Sequence, residues 1–589
     1  MKKEDLIKAI GLADDKYVLE AQNPTRTKKK RRIFTSIAAA CITLVLVNLW
    51  LFLPIKQPTP YIAAFAGSDY YPIIERLYLN TEAKKYELPY GNNFEKLLYT
   101  LKSDDKPTNP GLVTDSLEDF DFNQTYMETT DNQNEGVIEA DRIKRSDRYI
   151  YYVQMDQLMI YTAEGGEYEL VGQTQLISEH TEIFLSLDCK YITAITQGYS
   201  KTSVCVFDVS DPKNIMQVSK IIINSTYFEA RYLGNQLIIA TRSNINLAQK
   251  EYSDPSTFVP MLEYNGKTQL ISMDDIHITS YEYSDFRNYT ALYVLDPLTL
   301  EPQSSFALLG GSNTVYFSKD NVFMVANYDK DGTDTCEISC ISYTSGKLEF
   351  ECALEAIGHV DDRRWMDEHD GMLRVFSNTQ SNNTENATLS VFDLKKEKII
   401  AKLKNFAPEG ESLRSVRFDG DKAYVCTAIV QKHRVIDPVF FFDLSDYKNI
   451  SYTDTGTIPG YSHALINYKD GYLLGVGFNN RKLKFEVYKE ENGKVVSTSK
   501  IESGNPNIPS DYKAYFIDRE RNLFGYDTDI SNHFSSYNLF EIKDGILYEI
   551  DVLYESCKRH PERTRALYID DCLYIFNDAG VYVHGFEDN

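Results

Sequence analysis

NVFMVAN (321–327), MLRVFSN (372–378), KAYVCTA (422–428), YLLGVGF (472–478), NLFGYDT (522–528) and CLYIFND (572–578) are one short apolar strand core written six times. From Phe323 through Leu373, Ala423, Leu473 and Leu523 to Leu573, the step is 50 residues each time. A turn precedes every core, centred on Asp320, Asp370, Gly420, Asp470, Glu520 and Asp570. Asp and Gly tolerate the left-handed backbone that tight hairpins demand, so each turn predicts a hairpin feeding its core. A further strand follows, ending in an aromatic-acid pair: VCVFDVSDPKN (204–214), LYVLDPLTLE (292–301), LSVFDLKKEK (389–398) and FFFDLSDYKN (440–449). Less regular units begin at Tyr149, Tyr191 and Leu237, and an insertion around Asn244–Asn288 stretches the third.

Self-similarity at 40–50 residues with several short strands per unit is the pattern of a β-propeller. One small sheet cannot bury both faces, so neighbours stack around an axis, and closure into a ring leaves no long open edge. The fold class is therefore all-β. Nine unit starts are present, but the last unit is short and propellers usually carry four to eight blades. The expectation is about eight four-stranded blades, with nine as the alternative. Composition agrees: 43 Tyr and 30 Phe against 2 Trp suit the half-buried faces of strands.

Charge divides the chain. Its formal net charge is −24, which repels phosphate backbones and argues against nucleic-acid partners. Residues 1–32 run the other way, with ten Lys/Arg against five Asp/Glu. IFTSIAAACITLVLVNLWLFLPI (33–55) then follows, 23 residues without a charge, directly behind Lys28-Lys29-Lys30-Arg31-Arg32. At about 1.5 Å per residue such a run crosses a ~30 Å hydrocarbon layer. The basic block keeps the N-terminus cytoplasmic, and Trp50 suits the outer interface. A cleaved signal peptide carries a shorter apolar region of about 7–15 residues, and Ala64-Phe65-Ala66 stands well beyond the apolar end. The run also continues past Cys41, against a lipoprotein cysteine.

The expected organisation is thus a basic cytoplasmic segment (1–32), a transmembrane helix (33–55), an extracytoplasmic stalk and acidic linker (56–135), and a propeller (136–589). Short helices are expected at Tyr70–Glu82 and Phe94–Ser103. Between them and the repeats, SDDKPTNPGLVTDSLEDFDFNQTYMETTDNQNEG lacks apolar spacing and reads as a tether.

TTDNQNEGVIEADRIKRSDRYIYYV (129–153) resembles the opening of a bacterial family of secreted β-propeller domain proteins distantly related to WD repeats. The residues that carry the likeness are Gly136, Val137, Glu139, Ala140, Asp141, Lys144, Asp147, Tyr149, Ile150 and Tyr151. MDEHDGMLRV (366–375), SLRSVRFDGDKAYV (412–425), FDLSDYKN (442–449) and RALYIDDCLYIFND (565–578) are similar to family segments in the same order. The resemblance covers roughly Gly136–Phe586 and implies the fold and a surface location, but no activity. Ile138 stands where the family has an acid, and Arg142 where it has an apolar residue.

Three groups of residues suggest chemistry. Asn327, Asp329 and Asp331, followed by Gly332, alternate oxygen donors as a calcium loop does, although position twelve is Ile338 instead of a bidentate Glu. The competing reading is a plain Asp/Gly hairpin, with no cofactor. Glu139 and Asp141, two apart on a strand, share a face as paired general acid and base would. Turn capping, or pairing with Arg142 and Lys144, is the simpler expectation. Asp361, Asp362, Asp367, Glu368, His369 and Asp370 beside Arg363 and Arg364 read as a solvated loop. No His-Glu-x-x-His, Gly-x-Ser-x-Gly or phosphate-cradling glycine loop is present. Cys336, Cys340 and Cys352, and the pairs Cys189/Cys205 and Cys557/Cys572, are spaced for bridges or for buried thiols. Two functions remain: a membrane-anchored binding module facing a cell-wall component or surface protein, or an extracellular enzyme acting on polysaccharide. A filled channel would favour the first and convergent free carboxylates the second.

Overall fold

The 50-residue period becomes geometry in the computed structural model, which describes residues 65–86 and 125–586 except 131, 135, 234, 247, 280–286, 344–345, 382–383, 432–433, 457, 470, 480–481, 492–493, 504–508, 510, 530–533 and 556–560. The apolar run 33–55 and the expected helix at Phe94–Ser103 lie outside the described residues. Among those described, no helix is long and apolar enough to cross a membrane. The chain divides into Met1–Ser68, of which only 65–68 are described, and Asp69–Asn589, which contains everything below.

Each predicted core is the second strand of a sheet: Asn321–Lys330, Met372–Ser381, Lys422–Gln431, Tyr472–Asn479, Leu523–Asp529 and Cys572–Asn577. The aromatic-acid strands are the third, as in Thr384–Asp393 and Val439–Asp443. The order within a blade follows the chain, all antiparallel, as in Met366–His369, Met372–Ser381, Thr384–Asp393 and Lys398–Lys404. Asp370 (φ 50°) and Gly371 (φ 72°) form the two-residue link between the first two. A turn with positive φ at both central residues matches the twist of the strands it joins, which is why an Asp-Gly pair stands there.

The described residues form nine sheets, one for each unit start. The expectation of eight is thereby corrected. The short last unit is a three-stranded blade of its own (Arg565–Ile569, Cys572–Asn577, Gly580–Gly585). It is held by apolar seams on both sides, with Tyr537 and Leu539 of the eighth blade and with Tyr152 and Tyr161 of the first. The fourth, fifth and sixth blades share one larger cluster built around Phe376, Phe406 and Phe442. Between the second and third blades, Phe184 meets Tyr232 at 5.9 Å between ring centroids. Every blade face is covered by a neighbour, as ring closure requires.

The insertion decorates two blades. Met261–Tyr264 and Lys267–Leu270 extend the outer edge of the second, while Ile276–Ile278 adds a parallel strand outside Pro302–Leu309 of the third. Against this insertion sits the expected stalk helix, Tyr71–Tyr86, with Ile73, Ile74 and Leu77 buried. The Tyr70 hydroxyl donates to the Ile271 carbonyl at 2.9 Å, and its ring lies edge-on to Phe258.

The ring also starts earlier than residue 136. Tyr126–Met127 pairs with Arg145 and Ser146 of the first blade. The end of the stretch read as a tether is part of the fold.

Candidate functional site

The described residues of 128–142 lie at the axis of the ring, against the inner strands of several blades. Inner strands leave backbone groups facing the axis, and this segment pairs with two of them. Ile138–Glu139 pairs antiparallel with Tyr232 and Arg231 of the third blade, and Asp141 bridges Ile183 of the second. Gln133 donates to the carbonyls of Arg363 and Met366 before and in the fifth blade. Asn134 donates to Phe317 of the fourth. Val137 packs into the seam between the third and fourth blades, beside Val315 and Phe317.

The two carboxylates of this segment are buried at 1% exposure each, with partners other than those expected. Glu139 takes a bidentate fork from Arg363, at 3.0 and 2.9 Å, with Arg231 at 3.6 Å. Asp141 accepts from Arg565 at 2.7 Å, from the Arg142 backbone N–H at 2.7 Å, and from the Thr130 hydroxyl. The expected ion pairs with Arg142 and Lys144 are therefore corrected. Arg142 turns to the carbonyls of Glu179 and Val153. Fully buried Lys144 donates to the Glu139 carbonyl at 2.8 Å and faces Glu128 at 3.5 Å. Gly136, at φ 77°, provides the bend that lets the segment reach the third blade.

Short 3-10 turns deliver several of the cations. Asp362 and Asp511 cap the turns Arg363–Trp365 and Tyr512–Ala514, each accepting from the backbone N–H two residues on. Each turn runs directly into an inner strand and so holds its Arg or Lys against the axis. Lys513 crosses to Glu182 of the second blade at 2.7 Å, and Arg565 also binds Asp511 at 3.0 Å. Arg363 completes its shell with Glu229 at 3.1 Å. Burial alone would raise the Glu139 carboxyl, but Arg231, Arg363 and Lys513 hold it far below the ordinary carboxylate range. A general acid needs a pKa near the working pH, so Glu139 is fitted to hold charge instead of moving a proton.

The acidic run at 361–370 is also less solvated than its composition predicts. Asp367 pairs with buried Arg374, and Glu368 accepts from Ser318 and Asn321. The candidate calcium residues sit at the end of a hairpin. Asp329 accepts from the Gly332 N–H at 2.8 Å, and Asp331 takes φ 54° in the turn. Asn327 faces the start of the next blade, where it bonds both ways with Val360 and donates to Asp361. Among the described residues no group of three or more His, Cys, Asp or Glu is gathered as for a metal. The described cysteines are free thiols; Cys340 lies opposite Cys352 in the fourth blade, and Cys557 falls outside the described residues.

A small open recess of about 20 Å³ lies beside the axial segment, along the fifth to eighth blades. Arg363, Arg364, Arg417, Gln133, Tyr512 and Tyr515 line it, with an apolar wall from Ala464 to Ile466. The sequence marked Arg363 and Arg364 only as part of a solvated loop, and Arg417, one repeat further on, was not marked at all.

A beta propeller domain model matches residues 127–588, a range that takes in the axial segment. The chain belongs to the beta propeller domain family. Proteins of similar sequence include an uncharacterized protein of Archaeoglobus fulgidus, 24% identical over 445 residues (61% of this chain, 66% of that one). An uncharacterized protein of Methanocaldococcus jannaschii is 28% identical over 241 residues, 38% of this chain and 35% of that one. The matches thus span under two thirds of these relatives' lengths. Among solved structures, a dihydro-heme d1 dehydrogenase is similar at TM-score 0.35 and 10% identity, covering 74% of this chain and 78% of that one. A putative 6-phosphogluconolactonase of Bacteroides fragilis is similar at TM-score 0.31 and 11% identity, over 75% and 99% of the two chains.

Proposed function

We propose that this beta propeller protein is a membrane-anchored, extracytoplasmic binding module that presents a rigid ring to a cell-wall component or surface protein. The observation that carries the reading is the state of the axial carboxylates. Glu139 and Asp141 are the acids best placed for catalysis, and both are held by arginines from distant blades. A filled, ion-paired axis serves rigidity, and rigid loops around it serve recognition. Membrane attachment rests on the apolar run 33–55 behind its basic block.

Two measurements test the proposal. In intact cells, an externally added protease should remove a tag at the C-terminus and spare one at the N-terminus; the reverse pattern would overturn the topology. Residues 57–589 should show a raised unfolding midpoint with a wall fragment or glycan, since a ligand that binds only the native state stabilises it by mass action. The ligand should be recovered unchanged by mass spectrometry. Recovery of cleaved glycan would replace the binding module with the polysaccharide enzyme.

A further inference from the structure

We propose that the recess beside the axial segment is a binding subsite for a compact oxyanion, a carboxylate or phosphate group. The inference deepens the binding-module reading and rests on it. Three guanidinium groups, those of Arg363, Arg364 and Arg417, line one small concavity, and none of its described lining residues is acidic. On a chain of net charge −24 a lining with three arginines and no described acid stands out from the average composition. Arginine keeps its charge and presents a planar fork that matches carboxylate and phosphate geometry.

The arginines are fixed from behind. Arg363 is anchored by Glu139 and Glu229, and Arg364 meets Asp362 through Nε and Nη2. Arg364 Nη1 has no protein partner among the described residues, and it is not buried. Both guanidinium carbons sit against the Tyr512 ring, at 5.2 and 5.3 Å from its centroid. Arg363 is spent on its two carboxylates, so an incoming anion would meet Arg364 Nη1 and Arg417, with Arg363 adding charge from behind. His463, next to the apolar wall, has its pKa lowered chiefly by burial, with Arg364 and Arg414 lowering it further against an opposing pull from Asp362. The wall from Ala464 to Ile466 shields the site from water and strengthens each charged hydrogen bond.

Trp365 supplies the readout. It belongs to the same turn as Arg363 and Arg364, and the only other tryptophan is Trp50. Full-length protein carrying Trp50→Phe should be titrated with sodium phosphate and with sodium succinate, against sodium chloride at equal ionic strength. A saturable change in Trp365 fluorescence is expected with at least one of the two anions, and the stronger one identifies the group preferred. Arg364→Gln and Arg417→Gln should each weaken that binding about tenfold or more, while Arg148→Gln, on the exposed rim of the first blade, should leave it unchanged. Arg364→Lys and Arg417→Lys keep the charge without the fork, and they replace any Gln variant whose far-UV spectrum shows it unfolded; they too should bind more weakly. No saturable response beyond that of chloride, or equal affinity in all variants, would overturn the subsite. Neither result would touch the binding-module reading, whose topology and wall-fragment tests are independent of these residues.

Discussion

At the scale of single residues, Glu139 concentrates the physical argument. Breaking a buried ion pair from one side leaves the other charge without compensation and costs about 3–5 kcal/mol. Glu139→Gln should therefore lower the unfolding free energy by about 3 kcal/mol in denaturant titration, with Arg363 and Arg231 left facing an amide. The double variant Glu139→Met with Arg363→Met should lose less than the sum of its single losses, by about 1 kcal/mol or more. The pH dependence has a definite sign. The folded carboxyl lies far below its unfolded value, so the stabilisation is complete above about pH 5 and fades as pH falls below the ordinary glutamate range near 4. In Glu139→Gln that part of the acid slope should be missing. Asp329 gives a contrasting case. Its carboxylate caps Gly332, and Asp329→Ala should cost about 1 kcal/mol, equally in calcium and in chelator. A loss that appears only with calcium would establish a metal at the hairpin.

At the scale of elements, the hairpins were legible because everything that specifies them is local. Asp370-Gly371 and the core MLRVFSN sit side by side in the chain, and their period declares the repeat. The axial network was not legible, because its partners lie 224 residues apart for Glu139 and Arg363 and 424 for Asp141 and Arg565. No pattern within a short window joins such residues. A weak signal did exist: Asp362-Arg-Arg364 and Asp511-Tyr-Lys513 both place an acid two residues ahead of a cation, just before an inner strand. The same contrast governs how elements tolerate change. A Cβ at Gly477 would meet the Tyr461 carbonyl oxygen at 1.8 Å, so Gly477→Ala should force apart the first two strands of the seventh blade. Gly371→Ala meets no atom within 4 Å and should cost only the backbone strain, about 1 kcal/mol. Unfolding curves for the two variants should differ by several-fold in the loss they report.

At the scale of the whole molecule, nine blades make a ring in which the last to be synthesised seals against the first. A chain ending at residue 560 would expose the faces that now cover Leu573 and Tyr574, and it should appear in size-exclusion chromatography as aggregate instead of monomer. The count of nine was open in the sequence, since a three-stranded final unit reads equally as a fragment or as a blade. What decides it is burial on both of its faces, a property of neighbours and not of the unit itself. The axial segment carries a consequence in time. Asp141 leaves the ribosome beside the first blade, yet it meets Arg565 only when the ninth blade exists. At about 5–20 residues per second, some 20 to 90 s of synthesis separate the two. Through that interval the segment can already pair with the second and third blades, but Asp141 lacks its arginine. The ion pair that closes the axis is among the last contacts the chain can make.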